Sequence, residues 1–186
     1  MNILALDPGT TQTGWAIVAD DMRVLEHGIT QNNVVLSRIS NHATEGGFDF
    51  KIDGVATEMI ASYGMPVGRE VFETCIWIGR FMQAWRSPEK VIIVYRKDVK
   101  MHLCGTTRAK DTNVRQAIID LYEPTGGGST PQIGTTKQPG PLYGVSSHVW
   151  PAIGVGIVAH HQSGKLKLPD TLPLYQTNGE EKAAPF

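Results

Sequence analysis

Two isolated acidic residues, Asp7 and Glu58, stand where carboxylates can do chemistry. Asp7 ends the apolar run 3–6, and Glu58 lies within the short apolar segment 53–60. Two carboxylates on neighbouring strands repel each other unless one is protonated or a cation lies between them, and oxygen ligands favour Mg²⁺ or Mn²⁺. Paired divalent ions suit the in-line attack of water on a phosphodiester. If the two strands are neighbours, the sequence predicts a metal-dependent phosphodiester hydrolase.

Each acidic residue also has a purely structural explanation. Asp7 precedes Pro8 and Gly9, which force a turn, so its carboxylate can serve only to cap that turn. Glu58 can be a surface glutamate at a strand edge. The phosphate-binding loops of sugar kinases and actin-like ATPases begin much as residues 3–9 do, but such an ATPase requires a second phosphate loop and a much longer chain.

Length and composition favour one domain. The chain has 186 residues, of which 41% are hydrophobic, which is enough for a sizeable core. No apolar stretch reaches the ~18 residues of a membrane span, and the N-terminus lacks the pattern of a secretion signal. We therefore expect a cytoplasmic protein. Cys75 and Cys104 have no metal-ligand spacing and are expected to be reduced thiols.

The net charge of −1 conceals one basic segment. Residues 80–115 hold nine Lys and Arg residues against three Asp and Glu residues, a local balance of +6. A polyanion such as DNA responds to this local charge and not to the average. A solvated surface without a partner is the alternative. The basic residues are Arg80, Arg86, Lys90, Arg96, Lys97, Lys100, Arg108, Lys110 and Arg115.

The hydrophobic pattern predicts the elements that position these residues. Residues 124–141 are rich in glycine and proline and are expected to form a mobile loop. We expect one domain at 1–162, followed by a poorly ordered tail at 163–186. We predict strands at 2–7, 13–19, 23–29, 53–60 and 90–95, and helices at 32–43, 67–86, 110–122 and 148–161.

The start of the last predicted helix places a histidine at its N-terminus. Pro151 is tolerated only in the first helical turn, where its missing N–H has no partner. The helix should therefore begin close to His148, with Ser146 or Ser147 as its N-cap.

In order and spacing, these motifs resemble the RuvC-type Holliday junction resolvases of the ribonuclease H superfamily, in particular the short versions carried by bacteriophages. The resemblance covers about residues 2–161. It implies an α/β, ribonuclease H-like fold, with a mixed sheet of three antiparallel strands and then parallel strands, flanked by helices. Its carriers are Leu6-Asp7-Pro8-Gly9-Thr10, Thr57-Glu58-Met59-Ile60, Trp77-Ile78-Gly79-Arg80-Phe81, Val99-Lys100 with Gly105, Ala109-Lys110-Asp111, and the helix from His148.

The resemblance implies a site for two Mg²⁺ or Mn²⁺ ions in which Asp7, Glu58 and His148 are the ligands. The family pattern has a further aspartate three residues after the position of His148, where this sequence has Pro151. Asp111 is a candidate for the missing ligand. His148 can alternatively act as the base that activates water.

The resemblance also implies contacts to DNA. Lys100 and Lys110 match lysines that contact junction phosphates and support catalysis, although Lys110 can equally mark a helix start. Tyr63 is the only aromatic residue in the loop that corresponds to the family's junction-entering loop, where its ring can stack on a base; a solvent-facing tyrosine is the alternative. The other basic residues expected to contact DNA are Arg80, Lys97, Arg108 and Arg115.

Family members act as dimers through the long helix, and helix 67–86 has apolar residues on more than one face. We therefore expect a homodimeric crossover junction endodeoxyribonuclease, active in DNA recombination and repair, that resolves four-way junctions by paired symmetrical nicks. A catalytically weak junction-binding protein, a flap or fork nuclease, and an actin-like or sugar-kinase-type ATPase are the alternatives.

Overall fold

A five-stranded mixed sheet forms the centre of the computed structural model, which describes residues 1–42 and 47–164. Its strand order is β3-β2-β1-β4-β5. β1 pairs with β2 and β2 with β3 in antiparallel fashion, whereas β4 is parallel to β1 and β5 to β4. This arrangement confirms the predicted fold class. The strands are β1 (Asn2–Pro8), β2 (Gln12–Ala19), β3 (Val24–Gln31), β4 (Gly54–Met59) and β5 (Ile92–Tyr95).

Five α-helices and one short 3₁₀ helix at Pro88–Lys90 accompany the strands in the described part of the chain. Four α-helices confirm the predicted ones within a few residues, whereas α3 was not predicted. In the described ranges, no helix is both long and apolar enough to cross a membrane. The helices are α1 (Asn32–Ser40), α2 (Arg69–Ala84), α3 (Arg96–Cys104), α4 (Asp111–Asp120) and α5 (Val149–Gln162).

The continuous apolar run of β1 reflects a strand that is covered on both faces. Ile3 and Ala5 face the core under α3, α4 and α5, and Leu4 and Leu6 face a second core under α1 and α2. Because side chains alternate along a strand, Asp7 follows Ile3 and Ala5 onto the α5 face. The alternation therefore directs this carboxylate towards the last helix.

The first residues of α5 are pressed against β2. A Cβ atom on Gly14 would lie 2.2 Å from the backbone oxygen of His148, so only glycine permits this approach. The helix begins at Val149 with Pro151 in its first turn, as predicted. The predicted serine cap is wrong: His148 is the N-cap, and Ser147 adopts a φ of 37° before it.

The segment 124–141 is a loop, as predicted, and backbone hydrogen bonds hold parts of it together, while its mobility stays a prediction. The N–H of Gly126 donates to the oxygen of Pro131 at 2.8 Å, and that of Gly127 to the oxygen of Gln138 at 2.9 Å. A bridge joins Gly134 to Pro139. These bonds satisfy backbone groups that a loop would otherwise leave to water. The predicted tail lies outside the described residues from 165 onwards.

Candidate active site

Asp7 and Glu58 meet at one edge of the sheet. Parallel pairing places Leu6 opposite Thr57, so the two acidic residues are the next neighbours along β1 and β4. Their carboxyl groups lie close enough for each to shift the pKa of the other, and their side chains are only 17% and 14% exposed. The predicted convergence of the two carboxylates is therefore present in the structure.

Burial makes this pair costly to ionise. It raises the pKa of Asp7 above its ordinary value. It also raises the pKa of Glu58 to about 7, with the Asp7 carboxylate as the second cause. The direction follows from desolvation and from the repulsion of two like charges. In the absence of a cation between them, the pair therefore holds a proton near neutral pH.

The turn that follows Asp7 is fixed by a buried amide. Asn32, the first residue of α1, donates from its side chain to the oxygen of Gly9 at 2.9 Å and accepts from the hydroxyl of Thr13 at 2.7 Å. The N–H of Asn32 also donates to the oxygen of Thr11 at 3.0 Å. These three bonds join both ends of the β1–β2 turn to one residue, which restricts the position of the Asp7 backbone.

His148 completes the predicted trio. Its Nδ1 atom lies 3.0 Å from Oδ2 of Asp7, and its side chain is 67% exposed. Because Nδ1 is engaged by Asp7, Nε2 is the ring nitrogen that is left for a ligand, a metal ion or a proton.

Arg96 brings a fixed positive charge to the same edge. As the first residue of α3, it follows β5 directly, and β5 ends beside β4. Its Nη1 lies 3.4 Å from Oε2 of Glu58, and its Nη2 lies 3.1 Å from Oδ1 of Asp111. Lys100, one turn further along α3, has its Nζ 3.8 Å from the same oxygen of Asp111. The candidate ligand Asp111 thus faces two cations.

The acidic pair opens into a pocket of about 490 Å³. Its lining includes Asp7, Glu58, His148, Arg96 and Arg115. A second pocket of about 420 Å³ is lined by α4 and by residues 129–133, and it shares Thr112 and Arg115 with the first. The two pockets adjoin at these two residues, and we refer to them together as the groove along α4.

Arg115 marks the junction of the two pockets. Its Cζ lies 5.0 Å from the ring centroid of Trp150, a distance at which a guanidinium is attracted to the face of an aromatic ring. Trp150 therefore holds this predicted DNA-contacting cation over the groove.

The remaining predicted DNA contacts lie outside the pocket lining. Lys110 is the exposed N-cap of α4, and Arg108 is exposed in the preceding loop. Arg80 is exposed on α2 and lies over the ring of Trp77, with 4.2 Å between its Cζ and the ring centroid. Of the predicted DNA-contacting residues, Arg115 lines the pocket and Lys100 faces the pocket residue Asp111, whereas these three residues do not line it.

Tyr63 lies at the tip of the loop between β4 and α2. It is about half exposed, and its backbone has a φ of 48°, a conformation that non-glycine residues rarely adopt. The Nζ of Lys97 lies 3.6 Å from the centroid of its ring. A cation thus covers one face of the ring, and the loop tip is linked to α3.

The donor chemistry of the site fits a divalent cation, although the side chains face one another. Among residues 1–42 and 47–164, no group of three or more His, Cys, Asp and Glu side chains is arranged to hold a metal ion. The reason is visible in the contacts: Arg96 faces Glu58, and Nδ1 of His148 faces Asp7. Two adjacent carboxylates with raised pKa values nevertheless repel each other when both are ionised, and an Mg²⁺ or Mn²⁺ ion would offset this repulsion. Asp7 and Glu58 therefore fit such an ion.

Sequence reasoning missed three residues that build this site. The sequence marks Arg96 only as part of the basic segment and Asn32 only as the first residue of the predicted helix 32–43, and it assigns Gly14 no role. For Arg96 a signal was present, because it directly follows a predicted buried strand, much as Asp7 ends its strand and Glu58 lies near the end of its own. Gly14 packs against His148, far along the chain, and Asn32 binds residues of the β1–β2 turn. No local sequence pattern marks either partner.

Comparisons with known proteins bear on the fold. The chain matches no protein-family model and no curated protein. It is similar to two solved structures of RuvC from Thermus thermophilus. One, in complex with a Holliday junction substrate, has a TM-score of 0.60 and 18% identity over 91% of this chain and 99% of that chain. The other has a TM-score of 0.60 and 17% identity over 91% and 100%. This chain therefore has the RuvC-type, ribonuclease H-like fold.

Proposed function

We propose that the protein is a metal-dependent endonuclease that resolves four-way DNA junctions by paired symmetrical nicks. The observation that carries the proposal is the contact between the Asp7 and Glu58 carboxyl groups, with His148 beside them, at the mouth of an open groove. The likeness of fold to a RuvC bound to a Holliday junction supports the choice of substrate.

Asp7 and Glu58 are the residues that would hold the divalent ions, with His148 as a third ligand or as a base. When bound, such ions lower the pKa of water and offset negative charge on the phosphate. The hydrolysis forms a bond from the water oxygen to phosphorus and breaks the bond to the 3′ oxygen, which takes up a proton. The products, a 5′-phosphate and a 3′-hydroxyl, can be ligated.

The protein side chains supply orientation and fixed charge for this reaction. If His148 is the base, Asp7 holds its ring through Nδ1, and Nε2 receives the proton of the attacking water. Arg96 and Lys100 are half-buried cations on α3, and they would offset the charge that grows on the phosphate oxygens. The groove along α4, with Arg115 at its centre, would hold the neighbouring sugar-phosphate backbone.

We further infer a homodimer in which α2 provides the contact. Phe72 and Ile76 lie one turn apart on α2 and are 60% and 62% exposed, whereas Ile78 and Phe81 are buried in the core. Water-exposed apolar side chains of this size are typical of an interface. A two-fold dimer matches the two-fold symmetry of a four-way junction and gives two sites for two opposing strands.

A second candidate function is junction binding with little cleavage. Pro151 offers no ligand where the family pattern has an aspartate, and Arg96 already faces Glu58. A flap or fork nuclease would use the same residues on another branched substrate.

Cleavage mapping on synthetic DNA distinguishes these functions. A four-way junction labelled on each strand in turn should show symmetrical nicks on two opposing strands with Mg²⁺ or Mn²⁺, and none with Asp7→Asn. Binding without nicking would favour the second candidate, and preferential cleavage of a flap or fork would favour the third. Nucleotide hydrolysis without DNA cleavage would favour the ATPase and would refute the proposal.

A further inference from the structure

Arg96 contacts two acidic residues that are, besides Asp7, candidates to bind a divalent cation. One nitrogen of its guanidinium faces Glu58 and the other faces Asp111, at 3.4 and 3.1 Å. Arginine remains charged at any physiological pH, and its planar group can engage two oxygens on different residues at once. The site therefore has a permanent positive charge of its own.

This charge lies where it would repel a divalent ion held by Glu58. Arg96 approaches Oε2 of Glu58, and a divalent ion held by the same carboxylate would repel the guanidinium. The ion and the guanidinium therefore compete for Glu58. Asp111 offers Arg96 an alternative, because it is exposed and lies at the shorter distance.

We propose that Arg96 is a built-in counter-cation of the acidic pair that gives up Glu58 to the divalent ion, stays attached to Asp111, and then contacts the phosphate. In this role Asp111 is a positioning residue for Arg96 and is not itself a metal ligand. Contact with the phosphate presupposes the proposed nuclease activity, whereas competition with the metal ion does not.

Metal binding tests the competition directly. Mn²⁺ binding to the full chain, measured by isothermal titration calorimetry and by thermal shift, should be about tenfold tighter in Arg96→Gln than in the wild type, because one repelling charge has been removed. Equal or weaker binding in Arg96→Gln would overturn the proposal, as would no binding to either protein.

A matched control separates this effect from a general loss of stability. Arg38 and Glu26 form a similarly enclosed ion pair, with 2.5 Å between Nη2 and Oε1, at the start of the chain and away from the acidic pair. Arg38→Gln should leave Mn²⁺ affinity unchanged. If Arg96→Gln does not fold, Arg96→Met replaces it. Methionine also lacks the charge, so the Mn²⁺ affinity of this variant should also exceed that of the wild type, and an equal or lower value overturns the proposal.

The role of Asp111 is tested by a double-mutant cycle. If Asp111 acts only through Arg96, then Asp111→Asn should not change Mn²⁺ affinity in the Arg96→Gln background. A further loss of affinity in that background would make Asp111 a ligand and would overturn this assignment.

Cleavage then tests the contact with the phosphate. At saturating metal, Arg96→Gln should cleave a four-way junction about 100-fold more slowly than the wild type, as expected when a charged group that stabilises the transition state is removed. Unchanged cleavage would overturn this contact. A wild type that does not cleave, with the shift in Mn²⁺ affinity present, would refute the nuclease and leave the competition standing.

Discussion

The raised pKa of Glu58 predicts how the stability of the metal-free protein depends on pH. Burial and the Asp7 carboxylate raise the pKa of Glu58 from 4.5 to about 7 in the folded protein, whereas unfolding returns it to its ordinary value. Between these pH values the folded state binds more protons than the unfolded state, so stability falls as the pH rises. A raised pKa of this size corresponds to a loss of up to about 3 kcal/mol by pH 8.

Glu58→Gln removes this titration. The free energy of unfolding of the variant, minus that of the wild type, should therefore grow by up to about 3 kcal/mol between about pH 4.5 and pH 8. Urea denaturation in the presence of EDTA measures both values. Glu73→Gln, which removes a carboxylate from the surface ion pair with Arg69 on α2, should show no such growth. A difference for Glu58→Gln that is constant, or that shrinks as the pH rises, would refute the reasoning.

Three further predictions concern the support of the site, the dimer and the loop tip. Gly14→Ala would drive a Cβ against the backbone of His148 and should cost about 2–3 kcal/mol of unfolding free energy together with most of the cleavage activity. Gly79→Ala, where nothing lies within 4 Å of the added Cβ, should be neutral or stabilising by up to about 1 kcal/mol. Equal unfolding free energies and equal cleavage rates for the Gly14→Ala and Gly79→Ala variants would contradict this. Ile76→Glu should turn a dimer into a monomer in analytical ultracentrifugation, and a monomeric wild type would refute the α2 interface. Tyr63→Ala should weaken metal-free binding of a four-way junction by about tenfold but leave binding of a linear duplex unchanged, so an equal loss on both substrates would count against base stacking.

The sequence predicted the sheet and most helices because their signals are local. The apolar run of β1 spans only a few residues, and the helical spacing of α2 spans only a few turns. Each pattern can therefore be recognised in a short stretch of sequence. α3 was missed because it is mostly polar and buries only Val99 and Leu103. One marker of its end was present in Gly105, which has a φ of 67°.

The site itself was predicted in part. Asp7 and Glu58 could be placed together because neighbouring parallel strands bring their ends to one edge, and Pro151 fixed the start of the helix at His148. The pairing of Arg96 with Glu58 and Asp111 could not be foreseen, because it depends on where an unpredicted helix begins. The approach of Gly14 to His148 joins residues from opposite ends of the described chain, and no local pattern records it.

The most direct test of the shared role of Asp7 and Glu58 is the rate of junction cleavage under single-turnover conditions. Wild type, Asp7→Asn, Glu58→Gln and the double variant are compared on a labelled four-way junction at saturating Mg²⁺. If both carboxylates act as one unit, each single variant should lose at least about 1,000-fold in rate, and the double variant should be hardly slower than either. Wild-type rates in either single variant would contradict the account.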